Sequence, residues 1–134
     1  MNDKFFLDSN VCIYAFDIDT GKKAKALDLI IGNKATVSTQ VLMETANVAA
    51  KKLKFKQEQI QSSVTYITMF CELHIIEFST IQLAFTINQK YHYSLYDALI
   101  IASALESNCT VLYSEDMQHR HVIEKRLTIV NPFL

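Results

Sequence analysis

Four acidic residues stand where a carboxylate is least free to leave. Asp8 closes the apolar run Phe5-Phe6-Leu7, and Glu44 lies one turn into a segment with helical spacing. Asp97 falls in the first turn of an apolar helix, and Asp116 follows the strand pattern at 110–113. Each neighbours a segment that must pack, so each is held close to the core. Carboxylates gathered at one sheet edge repel, and their ionised forms persist together when a cation neutralises them. An all-oxygen set suits Mg²⁺ or Mn²⁺ rather than zinc. Such ions activate water and neutralise charge building on phosphate oxygens, so phosphodiester hydrolysis is the chemistry this set points to. Plainer uses stand beside that one: Asp97 as a helix cap, Asp8 as a turn former, Glu44 as a solvated helix residue and Asp116 as a loop acid.

The elements that position these acids are readable from periodicity. Residues 5–7, 34–38, 110–113 and 127–130 have the pattern of short buried strands, and 73–78 is strand-like. A turn or short helix covers 10–16. Residues 22–31 have helical spacing through Ala24, Leu27 and Ile31, with Gly32 closing the helix. Val41, Leu42, Thr45, Val48 and Ala49 repeat at the helical period, and further helices are expected over 56–70 and 79–90. Ser94 is an N-cap, and Asp97 three residues later makes a capping box with Asp for Glu. The dense apolar run 99–105 predicts a helix buried on most sides. Short apolar strands alternating with helices predict an α/β fold, a mostly parallel central sheet flanked by helices on both faces. Such folds use right-handed crossovers and place their site past the C-terminal strand ends. Asp8 and Asp116 fall there, and Ser38 follows a third strand.

Composition bounds the rest. A chain of 134 residues, half of them apolar, suits one ordered domain over 1–134 that buries about two thirds of its unfolded surface. With 13 basic and 14 acidic residues the net charge is -1, which disfavours a non-specific nucleic-acid coat but not an enzyme meeting RNA through a local patch. Two glycines and one proline predict a helix-rich fold with short connections. Cys12, Cys71 and Cys109 form no CxxC pair and read as buried free thiols, which fits a reducing compartment. No apolar run reaches membrane-spanning length, and residues 1–4 lead straight into a strand pattern, leaving no room for a signal peptide. A cytoplasmic protein without membrane association is expected.

Four blocks then add a resemblance. Phe-Leu-Asp-Ser-Asn-Val-Cys-Ile-Tyr-Ala at 6–15 resembles the opening Asp-Thr-Asn-Val block of the PIN-domain nucleases. Val-Ser-Thr-Gln-Val-Leu-Met-Glu at 37–44 resembles their second block, Tyr-Ser-Leu-Tyr-Asp-Ala-Leu-Ile at 93–100 the third, and Leu-Tyr-Ser-Glu-Asp-Met-Gln at 112–118 the fourth. The order is the family's, the blocks span nearly the whole chain, and the nearest branch is the VapC-like toxins of bacterial toxin–antitoxin pairs. The resemblance implies a three-layer PIN-like fold and a metal-dependent endoribonuclease. It also implies that Asp8, Glu44, Asp97 and Asp116 bind Mg²⁺ or Mn²⁺, with Asn10 and Ser114 in support. RNA, with transfer RNA among the expected substrates, a cognate antitoxin and a second copy of the chain would be its partners. Ser9 replaces the usual Thr and keeps the hydroxyl. Arg120 stands where the family's segment commonly has Gly, a departure that bears on the loop path and offers a phosphate contact.

Other cations for RNA phosphates are Lys22, Lys23, Lys25, Lys51, Lys52, Lys54 and Lys56, which as helix-face residues also read as merely solvated. His119 and His121 lack a third soft ligand for zinc. Tyr91, Tyr93 and Tyr96 could stack on unpaired bases or pack in the core. Glu115 reads as a solvated acid, or as a weak second metal contact. Two further readings share much of this pattern: a DNA-directed metal-dependent nuclease, and a catalytically silent RNA-binding or protein-binding module.

Overall fold

The computed structural model describes residues 4–18 and 21–134. The chain runs β1 (Phe5–Leu7), α1 (Ser9–Tyr14), α2 (Lys23–Gly32), β2 (Thr36–Ser38), α3 (Thr39–Lys51), α4 (Gln57–Phe70) and β3 (Glu72–His74). It continues through α5 (Phe78–Tyr91), α6 (Leu95–Glu106), β4 (Val111–Tyr113), β5 (Val122–Ile123) and β6 (Leu127–Val130). The strands lie in the order β3-β2-β1-β4-β6-β5. Every pairing is parallel except that of β5 with β6. The expected α/β class with a mostly parallel sheet is the one observed.

That order fixes where the helices go. From β1 the chain steps outward to β2 and β3, then returns to add β4 on the other side of β1. Right-handed crossovers in opposite directions put their helices on opposite faces. Accordingly α1 to α4 pack among themselves, and α5 packs on α6. Strands covered on both faces read as continuous apolar runs, which is why three-residue segments such as Phe5-Phe6-Leu7 suffice. Phe6, Leu7, Leu112, Leu127 and Ile129 of the sheet are fully buried, as are Ile30, Ile67, Ile87, Ile100, Ile101 and Leu105 of the helices. Each such side chain contributes on the order of 1.5–3 kcal/mol. Helix α6 is buried along almost its whole length from Ala98 to Leu105, as its composition requires. All three cysteines are free and buried. No helix among the described residues is long and apolar enough to cross a membrane.

Three local expectations need correction. The strand expected over 73–78 is only Glu72–His74, and the chain leaves the sheet because α5 begins at Phe78. The Glu77 N–H donates to Thr80 Oγ1 at 3.1 Å, so 75–77 form the entry to that helix. Strand β5 was not expected, since a two-residue pair among polar neighbours has no readable period. Gly32 belongs to α2, and the left-handed step after it is taken by Lys34 at φ 53.

Arg120 takes a left-handed step as well, at φ 69, while its N–H donates to the Ile129 carbonyl at 2.7 Å. The position is therefore one that glycine fits and arginine fills under strain. Arg120→Gly is expected to raise stability by roughly 0.5–1 kcal/mol, read as a higher urea midpoint at unchanged slope. A lower midpoint would show that the arginine side chain contributes more than its backbone costs.

Candidate active site

Strand β1 is central in this arrangement, and the crevice beside it opens where the strand order reverses, between β1 and β4. Leu7 is level with Tyr113, so Asp8 and Ser114 leave the sheet side by side. The Asp8 N–H donates to the Tyr113 carbonyl at 3.0 Å, which locks that register. Asp8 is also the N-cap of α1, its Oδ1 accepting the Ser9 N–H at 2.7 Å. Its other oxygen, Oδ2, accepts from Ser114 Oγ at 2.8 Å and from Asn10 Nδ2 at 3.3 Å.

Two small residues link Asp8 to further acids. Ser9 Oγ donates to Glu44 Oε1 at 2.9 Å, and Asn10 Nδ2 reaches Asp116 Oδ2 at 3.2 Å. Glu44 is placed by α3, which Ser38 caps by accepting the Val41 N–H at 3.3 Å. Gln40, one turn before it, donates to Glu44 Oε2 at 3.1 Å and to the Tyr96 carbonyl at 3.0 Å, tying α3 to the start of α6. Ser94 caps α6 by accepting the Asp97 N–H at 3.2 Å. Asp97 is half-buried and joins the group through charge.

The electrostatics reflect this crowding. Burial, with the Glu44 and Asp97 charges adding to it against hydrogen bonds from Ser114 and Ser9, raises the Asp8 carboxyl from 3.8 to about 6. Asp97 is raised too, by burial first and then by Asp116, with Ser94 partly offsetting both. Asp8 is buried, and Asp116 is exposed at the mouth. Beside Asp116 lies a cavity of about 490 Å³ lined by Ser9, Asn10, Ile13, Tyr14, Lys52 and Asp116 among others; Asp8, Glu44 and Asp97 do not line it.

The residues read from sequence thus fare differently. Asn10 bridges Asp8 and Asp116, and Ser114 donates to Asp8. Ser9 is noted from sequence only as a hydroxyl kept where the family has Thr, and its bond to Glu44 is not readable there; Gln40 is not read at all, although its i–4 position to Glu44 is an available signal. Glu115 is neither solvated nor turned to the acids. It pairs with Lys22 and accepts the Tyr14 hydroxyl at 2.7 Å. Burial opposes its charge, and those two partners more than offset it, holding the carboxyl below its ordinary value. Lys22 is therefore engaged in an ion pair rather than held out to phosphate. His119 Nδ1 accepts the Asn131 N–H at 2.9 Å, and His121 Nδ1 meets the Tyr93 hydroxyl at 2.6 Å. Tyr93 packs against the core and Tyr96 is exposed. Arg120 is exposed.

Among the described residues, no three His, Cys, Asp or Glu side chains already close into a group that could hold a metal ion. The oxygens of Asp8, Glu44 and Asp116 accept instead from hydroxyl, amide and backbone donors. The donor set itself is all oxygen, and burial, with the Glu44 and Asp97 carboxylates nearby, disfavours the Asp8 charge, a setting that suits a hard divalent cation. Gln40 Oε1, beside Glu44, is one more buried oxygen without a partner among the described residues.

The fold and crevice define a class of small α/β domains with an acidic mouth at the sheet's switch point. The chain belongs to the PIN-domain family, whose profile matches residues 5–125. Its fold is similar to that of VapC20 from Mycobacterium tuberculosis, a sarcin-ricin loop cleaving toxin. That likeness has a TM-score of 0.70 at 15% identity and covers 84% of this chain and 90% of that one. It is also similar to VapBC2 from Rickettsia felis, bound to a DNA fragment from its promoter. Here the TM-score is 0.69 at 20% identity, covering 93% and 96%. No curated protein matches the chain in sequence.

Asp8 yields a stability test. Its folded-state value lies above its unfolded one, so it favours folding at low pH, and that contribution is lost as pH rises through about 6. With a chelator present, Asp8→Asn is expected to be more stable than wild type by about 1–3 kcal/mol near neutral pH. The gap should narrow as pH falls through about 6 and close below about pH 3, where the Asp8 carboxyl is protonated in both the folded and the unfolded chain. Melts across that range check this, and a less stable D8N protein near neutral pH would contradict it.

Proposed function

We propose that this chain is a metal-dependent endoribonuclease acting as the toxin of a toxin–antitoxin pair. The observation that carries the reading is the linkage of Asp8 to Glu44 through Ser9 and to Asp116 through Asn10, with the Asp97 charge felt at Asp8. Membership of the PIN-domain family and likeness of fold to two toxin-system structures support it.

Asp8, Glu44, Asp97 and Asp116 would hold Mg²⁺ or Mn²⁺. A divalent ion bound there supplies a lowered water pKa and neutralisation of charge on the phosphate. The chain's own residues do the rest. Asn10 and Ser114 hold Asp8 Oδ2 in a fixed direction, and Gln40 fixes Glu44. Ser9 sets Glu44 Oε1 beside Asp8, where the carboxylate can orient a water for in-line attack. Exposed Asp116 lies at the mouth, where an RNA strand enters. Arg120, exposed in the loop that follows, would contact a phosphate, and Lys52 lines the cavity beside Asp116. A cognate antitoxin and a second copy of the chain belong to the same reading, as does transfer RNA as a substrate.

Asp97→Asn separates chemistry from helix capping. Ser94 does the capping, so the substitution should change stability by no more than about 1 kcal/mol without metal. It should lose most RNA cleavage and most of the stabilisation that Mg²⁺ or Mn²⁺ gives wild type. A folded D97N protein with wild-type cleavage and normal metal stabilisation defeats the assignment. Arg120→Ala should weaken RNA binding and reduce its salt slope by about one. An unchanged slope and affinity remove Arg120 from the interface.

A further inference from the structure

The Asp116 loop carries a second carboxylate that the nuclease reading leaves unused. Glu115 is clasped from two other elements. The Tyr14 hydroxyl, at the end of α1, donates to Oε1 at 2.7 Å, and the Lys22 ammonium, just before α2, ion-pairs with Oε2. That ammonium also lies 4.8 Å from the Tyr14 ring centre and 5.2 Å from that of Phe133. The Tyr14 and Phe133 rings meet edge to face at 5.1 Å. An exposed ion pair does little; this one is only partly covered, with side-chain exposures of 38% for Lys22 and 23% for Glu115, but two ring faces also hold the cation in place.

The backbone of the same residue does something else. The Glu115 N–H donates to Asn10 Oδ1 at 3.1 Å. With its oxygen so used, the Asn10 amide must turn its Nδ2 toward Asp8 Oδ2 at 3.3 Å, Ser114 Oγ at 3.3 Å and Asp116 Oδ2 at 3.2 Å. A flipped amide would set its oxygen against two carboxylates and its NH₂ against a peptide N–H. The orientation of the one neutral donor shared by Asp8 and Asp116 thus depends on where the Glu115 peptide sits.

We propose that Glu115, clasped by Lys22 and Tyr14, is a positioning residue whose anchored loop presents its peptide N–H to Asn10 and so fixes the Asn10 amide between Asp8 and Asp116. The clasp also pairs the Glu115 charge with Lys22, so no further bare carboxylate is added beside Asp116. Its consequence for catalysis rests on the nuclease reading; its geometry does not.

The test uses metal-free protein first. In wild type the Asn10 side-chain NH₂ should give two well-separated NMR signals, and the Glu115 peptide N–H should be protected from exchange. Glu115→Ala and Lys22→Met should move the Asn10 pair toward free-amide positions and speed exchange at position 115 by about tenfold. Glu115→Gln, which keeps one acceptor oxygen for the Tyr14 hydroxyl but turns an NH₂ toward the Lys22 ammonium, should restore only part of both. In RNA cleavage, E115A should lower kcat about tenfold with KM within about threefold, and E115Q should recover part of the loss. Folded E115A and K22M proteins with wild-type Asn10 signals and wild-type exchange overturn the proposal. Should those variants fail to fold, Tyr14→Phe removes one hydroxyl only: severalfold faster exchange at Glu115 supports the clasp, and unchanged exchange overturns it. If wild type cleaves no RNA, the nuclease reading fails, and the NMR outcomes still decide the clasp.

Discussion

Holding the buried Asp8 carboxylate beside the charges of Glu44 and Asp97 opposes folding, and much of the local structure is arranged to offset that opposition. The parallel sheet imposes the meeting. Because β1 lies between β2 and β4, whatever follows β1 and β4 must emerge at the same crevice, and the helices entered from β2 and α5 flank it. The offset comes from neutral donors: the Ser9 N–H, the Ser114 hydroxyl and the Asn10 amide at Asp8, and the Ser9 hydroxyl and Gln40 amide at Glu44. These stabilise the charges without cancelling them. Asp8 accordingly remains raised to about 6 even with two hydrogen bonds working to lower it. Residual negative charge of this kind is what a hard cation relieves.

Rigidity is needed for the same reason. Repelling carboxylates move apart unless their backbone is fixed, and each acid here sits on a segment fixed by packing. Asp8 is held by fully buried Phe6 and Leu7, Asp97 by the buried length of α6, and Glu44 by α3 with Val41 and Thr45 beneath it. Asp116 is the exception. It stands on an exposed loop, with Met117 buried after it and the Glu115 clasp before it. The tether from Lys22 and Tyr14 thus falls at the acid that the core secures least.

What the sequence made legible follows from the range of each interaction. Short strands bounded by polar residues, the 3.6-residue stripes of α3 and α4, and the apolar density of α6 are local signals, and they gave the sheet, its class and the ends at which Asp8 and Asp116 emerge. The strand over 73–78 failed because Ile75 and Ile76 are apolar without being paired, and periodicity cannot see a helix entry set by Thr80. Strand β5 failed because two residues have no period. The Ser9 bond to Glu44 and the Gln40 bond to Tyr96 are not legible in the sequence because each joins residues distant along the chain. The Glu115 clasp went unread for the same reason: Lys22, Tyr14 and Phe133 meet only in three dimensions. Arg120 stands where the family's segment commonly has glycine, and its left-handed backbone gives that departure a physical meaning.

The proposed function requires Asp8, Glu44, Asp97 and Asp116 to form one metal-binding group. Titrating Mn²⁺ into isotope-labelled protein tests it most directly, because the ion broadens NMR signals of nuclei close to it whether or not RNA is cut. At substoichiometric Mn²⁺, signals of Ser9, Asn10, Gln40, Glu44, Asp97, Ser114 and Asp116 should broaden first, while those of β5 and α4 stay sharp. Broadening centred elsewhere, or no selective broadening at all, would contradict a shared metal site at the switch point of this sheet.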